Sequence, residues 1–98
     1  MEQLPVIIVE DQYGLSAVFP TLAWSNTNTI SCFDSVSGHG AGTKEWYKTT
    51  KIAKQNNSKI EFMKRLKQIY SDVKLKEYKR WIQDFDLQRN QKFKNNTL

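Results

Sequence analysis

Leu4-Pro5-Val6-Ile7-Ile8-Val9 is the stretch on which the fold turns. Its residues are apolar at consecutive positions and mostly β-branched, so a strand made from them presents apolar side chains to both faces of a sheet. Such a strand must be covered on two sides, which makes it central; Pro5 is tolerated because it opens the run. Asp11-Gln12-Tyr13-Gly14 then supplies a turn in which Gly14 takes positive φ, and Leu15 to Phe19 returns as a second short strand stopped by Pro20. Ser25-Asn26-Thr27-Asn28 is another polar turn. Beyond it Thr29 to Val36 alternates as a third strand, with Ile30, Cys32 and Val36 on one face. Gly38, Gly40 and Gly42 stand in alternate positions between Ser37 and Thr43, which reads as a loop, and Trp46 to Ile52 returns as a fourth strand.

Ser58-Lys59-Ile60-Glu61 has the form of a capping box, in which Ser58 and Glu61 satisfy backbone N–H groups at a helix start. Ile60, Met63, Leu66, Ile69 and Tyr70 follow at helical spacing and predict a helix over about 59–70. After Ser71-Asp72 two patterns coexist: Val73, Leu75 and Glu77 alternate as in a strand, while Leu75, Tyr78, Ile82 and Phe85 make a helical stripe. Periodicity leaves both open. From about Gln88 the chain is Asn, Gln and Lys with Phe93 isolated, a composition that does not offset its ordering entropy. The expected fold is an α+β domain over residues 1–87, with an antiparallel β-meander of three to four strands, one amphipathic helix and a further strand (or second helix). Residues 88–98 form a disordered, flexible polar tail in this reading.

A chain of 98 residues supports one core, and its 39% apolar and 26% charged composition suits a folded body with a polar appendage. Met1-Glu2-Gln3 puts an acid where a signal peptide carries bases, and Leu4 to Val9 is too short to cross a bilayer. Cys32 is the single cysteine, so no intrachain disulfide forms, and a reducing cytoplasm is the expected compartment, with no membrane association. The charge is unevenly placed. Residues 1–43 hold no Lys or Arg and four acids, a net of −4, whereas residues 44–98 hold all 15 bases and six acids, a net of +9. Such polarity suits a partner surface of opposite sign.

Lys44, Trp46, Tyr47, Lys48, Lys51 and Lys54 interleave cations with rings, and Lys74, Lys76, Lys79, Arg80 and Trp81 repeat the theme. This is the pairing that single-stranded nucleic acid uses, through phosphate contact and base stacking. A solvated face with lysines along it and rings turned to the core explains the same residues. The glycine run is neither a P-loop nor a dinucleotide fingerprint, because its spacing is wrong for both. His39 lies between two glycines, which predicts an exposed, mobile loop contact. Cys32, His39 and Asp34 contain the atom types of a nucleophilic site, but the expected place of Cys32 is a buried strand face. No cofactor or metal site is expected, one His and one Cys being too few ligands for a closed zinc site.

The order of features also resembles a family of small uncharacterised proteins carried by bacteriophages and plasmids, over roughly residues 5–80. The likeness lies in a strand ending near Val9, the Ala17-Val18-Phe19-Pro20 element, Ser31-Cys32-Phe33 leading into Val36 to Gly40, Trp46-Tyr47 followed by Ala53, and a helix closing on Ile69-Tyr70 before a basic strand. Members pair a Cys with an aromatic residue and follow it with a His beside a Gly, matched here by Cys32-Phe33 and His39-Gly40; the spacer Ser37-Gly38 departs from the pattern. The family brings no established activity. The resemblance implies a mobile-element setting and a strand after the helix, which favours strand for residues 73–81.

The function expected from these features is that of a non-enzymatic phage or mobile-element protein. It would bind a host protein or nucleoprotein complex, inhibiting or modulating a host system such as a nucleic-acid-directed defence. A direct nucleic-acid binder using the basic and aromatic residues is the alternative. A small hydrolase or transferase using His39 is a third reading, from another class. The oligomeric state stays open.

Overall fold

The computed structural model describes residues 3–96; Met1 and Glu2 of the signal-peptide reading, and Thr97 and Leu98 of the expected tail, lie outside the described residues. Leu4 to Val9 forms most of β1 (Gln3–Asp11), which is central as its composition demands. One edge of β1 pairs antiparallel with β2 (Gly14–Ala23), followed outward by β3 (Ile30–Asp34) and β4 (Gly38–Gly42) as a meander. Two strands share its other edge in tandem: the two-residue β5 (Lys51–Ile52) runs antiparallel beside Val9 and Glu10, and β6 (Lys74–Tyr78) runs parallel beside Gln3 to Ile7. Among the described residues the chain is thus α+β, a six-stranded, mainly antiparallel sheet with three helices.

The two faces of β1 feed two cores. Leu4, Val6 and Ile8 pack with Ala17, Phe19 and Phe33 beneath α2 (Asn57–Ile69), which contributes Phe62 and Leu66. Ile7 and Val9 pack with Val18 and Ile30 beneath α1 (Lys44–Lys48) and α3 (Gln83–Asn96), with Phe85 of α3 only 1% exposed. Each fully buried aliphatic or Phe side chain contributes about 1.5–3 kcal/mol, so β1 anchors both layers at once.

Several expectations are corrected. β2 does not stop at Pro20 but runs through it to Ala23, with an irregularity between Phe19 and Ala23. The β1–β2 register pairs Ile7 with Val18, and its continuation sets Pro5 opposite Pro20, two residues without an N–H, so the proline sits where the ladder has ended. The alternate glycines form β4 rather than a loop, and the fourth strand expected at Trp46 to Ile52 is instead α1 followed by β5. Thr43 causes the switch: its side chain accepts from the Trp46 N–H and caps a helical turn directly after the strand. Val36, expected to face inward, lies in the β3–β4 turn and is 90% exposed.

The helix over 59–70 is present, but its cap is Asn56, whose Oδ1 accepts from the Lys59 N–H at 3.0 Å, and Ser58 lies inside the first turn. The buried stripe is accordingly Lys59, Phe62 and Leu66, leaving Ile60 and Ile69 over 40% exposed. Lys59 is buried because Glu77 of β6 receives its Nζ at 2.5 Å, an ion pair that ties α2 to the sheet. Residues 74–78 are strand, and the helical stripe acts only later, where Ile82, just before α3, and Phe85 within it pack into the second core.

Over residues 88–96 the expected flexible tail is instead the continuation of α3, which is a further correction. Arg89 is 5% exposed, and its guanidinium donates to the Thr27 carbonyl at 3.0 Å, the Pro20 carbonyl at 2.9 Å and Asp86 Oδ1 at 2.8 Å. Ile82, Phe85, Arg89 and Phe93 recur at helical spacing, with a cation in a position where an apolar residue would have signalled the helix. Charged hydrogen bonds to backbone carbonyls replace the missing apolar burial.

Candidate functional site

The first basic and aromatic cluster divides. Lys44 reaches Asp86 Oδ2 at 3.1 Å and lies 5.3 Å from the centre of the Trp81 ring. Tyr47 packs on Trp81 with ring centres 5.1 Å apart, and Trp81 donates to Asp86 at 3.1 Å. Burial raises the Asp86 carboxyl pKa, but hydrogen bonds from Arg89, Trp81 and Lys44, with the Lys44 charge, outweigh it and hold the group below its ordinary value. Lys44 and Tyr47 therefore serve a packed network fastening α1 to α3, not an open stacking platform. Burial likewise pushes the Tyr47 phenol up, against a smaller opposing contact with the Trp81 backbone.

Lys51 and Lys54, by contrast, gather with the second cluster. Lys74 and Lys76 are exposed on β6, Lys79 and Arg80 are exposed just after it, and Lys51 and Lys54 are exposed in and beside β5. Because β5 and β6 share one edge of β1, these six cations follow that edge. Lys74 stands opposite Gln3 and Lys51 opposite Glu10, seven positions of β1 apart, or about 23 Å at the rise of a strand. Lys76 also lies 5.5 Å from the centre of the Tyr78 ring. Lys48, exposed at the end of α1, is separate from this line in sequence and element.

The opposite edge is different in chemistry. β4 pairs only with β3 among the described residues, and it contains neither a charged residue nor a proline. Its alternation places His39 on the α2 face, opposite Phe33, and all three glycines on the other face, in the rows of Asp34, Cys32 and Ile30. His39 is exposed but not mobile in the sense expected: its ring packs 5.0 Å from that of Phe33, and its Nε2 shares a hydrogen bond with the Tyr70 hydroxyl. Cys32 and His39 thus point to opposite faces, and the dyad considered from the sequence does not assemble. Burial, with the Asp34 charge adding to it, pushes the Cys32 thiol up to about 12, which leaves it protonated at neutral pH.

Trp46, expected at the start of a fourth strand, lies in α1 and stands against the glycine face. A Cβ on Gly42 would lie 2.9 Å from both the Trp46 ring and Cys32 Sγ, so glycine is required there by close approach. Three adjoining depressions of about 480, 400 and 660 Å³ all have Trp46 in their walls. Tyr13, 84% exposed, stands across the first and third, with Glu10, Asp11 and Asp34 around them. None of these three acids takes part in an ion pair among the described residues. The cations thus follow the β5 and β6 edge while β4 carries none, but the division is incomplete, because Glu10 stands opposite Lys51 and Lys51 also lines the third depression.

No family model matches the chain, and no curated protein or solved structure matches it at a significant level. Among the described residues no helix is long and apolar enough to cross a membrane.

Proposed function

We propose that the chain is a non-enzymatic binding protein that engages a macromolecular partner by accepting an extended segment beside β4. The observation that carries this is the edge of β4, unpaired among the described residues and made of five residues without charge or proline, which are devices that ordinarily guard an edge strand. The β6 edge carries such a guard in Lys74 and Lys76. Strand addition draws affinity from main-chain hydrogen bonds and selectivity from side chains over the neighbouring surface. The family resemblance adds a mobile-element setting to this reading, in which the partner is a host protein or nucleoprotein complex, for example one belonging to a nucleic-acid-directed defence.

The test is retention of a host protein on the immobilised chain in nuclease-treated lysate, then reconstitution with that protein in purified form. Hydrogen exchange at Gly38–Gly42 should slow in the reconstituted complex. Slowing confined to Lys74–Arg80, together with loss of the partner on nuclease treatment, overturns the reading. It would favour the second one, direct nucleic-acid binding along the basic edge, which rests on the line of six cations there.

A further inference from the structure

Gly40 has no evident role within its own chain. A Cβ there would meet nothing within 4 Å, and its φ is not among the positive ones, so neither crowding nor backbone conformation demands glycine. Glycine inside a strand weakens it, and its usual meanings are a bulge, a bend or the close approach of a ligand or another backbone. The β3–β4 register is unbroken from Gly38 to Gly42, which removes the first of these. An approach from outside suits its place, at the floor of the depression of about 400 Å³ that opens beside the edge left unpaired among the described residues.

The walls of that depression define what fits. Trp46 stands on one side and Asp34 on the other, with Ser16 beyond Asp34 in the same row of the sheet. Asp34 Oδ1 accepts from the Val36 and Ser37 N–H groups, at 2.9 and 2.6 Å, which fixes the carboxylate in place without neutralising it. A strand added to β4 sets every second side chain on this face, over bare glycine backbone. Asp34 then lies two strand spacings away, about 9.6 Å at the base of the side chains, within reach of a long side chain only. A planar cation lying across the floor meets an indole wall and an unpaired carboxylate together.

We infer that the glycine-floored depression between Trp46 and Asp34 receives an arginine side chain from the extended partner segment docked on β4. This rests on the strand-addition reading above and adds the chemistry by which the segment is chosen. The chain as a whole carries a formal charge of +5, so general electrostatics favours an acidic peptide, and a preference for arginine must come from this local site.

Three fluorescent nonapeptides, alternating valine with arginine, glutamine or glutamate, are titrated against the full chain by anisotropy. The arginine peptide should bind at least tenfold more tightly than the other two. Asp34→Asn, which keeps the turn-capping oxygen but removes the charge, should weaken it at least fivefold and leave the glutamine peptide unchanged. Gly40→Val should abolish the arginine preference without lowering the unfolding midpoint, because the added side chain fills open space. Equal binding of all three peptides overturns the arginine site and leaves strand addition standing. Binding of none overturns strand addition, and the site with it. An arginine preference that survives both substitutions places the attraction elsewhere and also overturns the site, as does pairing of β4 with a second copy of the chain in place of the peptide.

Discussion

Replacing Arg89 by methionine isolates the contribution of one buried cation to the docking of α3. Methionine keeps much of the apolar stem and removes the three donated hydrogen bonds, to the carbonyls of Thr27 and Pro20 and to Asp86. The Pro20 bond is fully buried, and a charge-assisted bond of that kind is worth about 1.5–3 kcal/mol. The other two are partly exposed, and Asp86 retains Lys44 and Trp81 as partners, so each loss there lies nearer 0.5–1 kcal/mol. The expected destabilisation is about 3 kcal/mol. For a domain of this size that lowers Tm by roughly 12–24 °C. Urea unfolding should show the same loss as a lower midpoint with an unchanged slope, since the surface exposed on unfolding is nearly the same. A loss below about 1 kcal/mol would refute the claim that Arg89 is the polar anchor of α3, and would return residues beyond Gln88 to the status of a dispensable tail.

Asp86 supplies a second handle: its folded pKa is depressed, so its stabilisation is complete above the unfolded value of about 3.9 and is lost as pH falls through the lower folded value. Acid titration of stability should steepen below about pH 4, and Asp86→Asn should flatten that limb. Cys32, partly buried and held protonated by desolvation and by Asp34, should react slowly with a thiol reagent at pH 7.5 in the native state and rapidly in denaturant; fast native labelling would contradict the raised thiol pKa. Oligonucleotide binding at physiological salt should stay in the non-specific range of about 10⁻⁴ to 10⁻⁶ M and fall further in the Lys74→Glu, Lys76→Glu double variant, measured by anisotropy. Tyr47→Ala should lower the unfolding midpoint through loss of the Trp81 contact instead of selectively weakening oligonucleotide binding; the reverse result would make Tyr47 a stacking surface.

The sequence by itself determined the elements whose signal is local. Leu4 to Val9 reads as a doubly covered strand, Gly14 marks the tight turn where its φ is +118°, and spacing gives the helix over about 59–70 with Leu66 on its buried side, although the structure seats Phe62 in the core in place of Ile60 and Ile69. It also disclosed the charge division near residue 43, and it supplied every base that the structure later arranges.

What it could not disclose depends on partners distant in the chain. Gly38 to Gly42 has no strand propensity of its own and becomes β4 only because β3 offers it a ladder and Trp46 needs the space above Gly42. Residues 88–96 look unfoldable by composition, yet α3 holds because Arg89 finds carbonyls at Pro20 and Thr27, more than sixty residues away. Lys51 and Lys74 come to lie on one edge of the sheet, at its two ends, only through their separate pairings with β1. Apolar periodicity is written in the chain, whereas edge pairing, the burial of a cation and the open ground beside β4 exist only once the sheet brings remote backbone together.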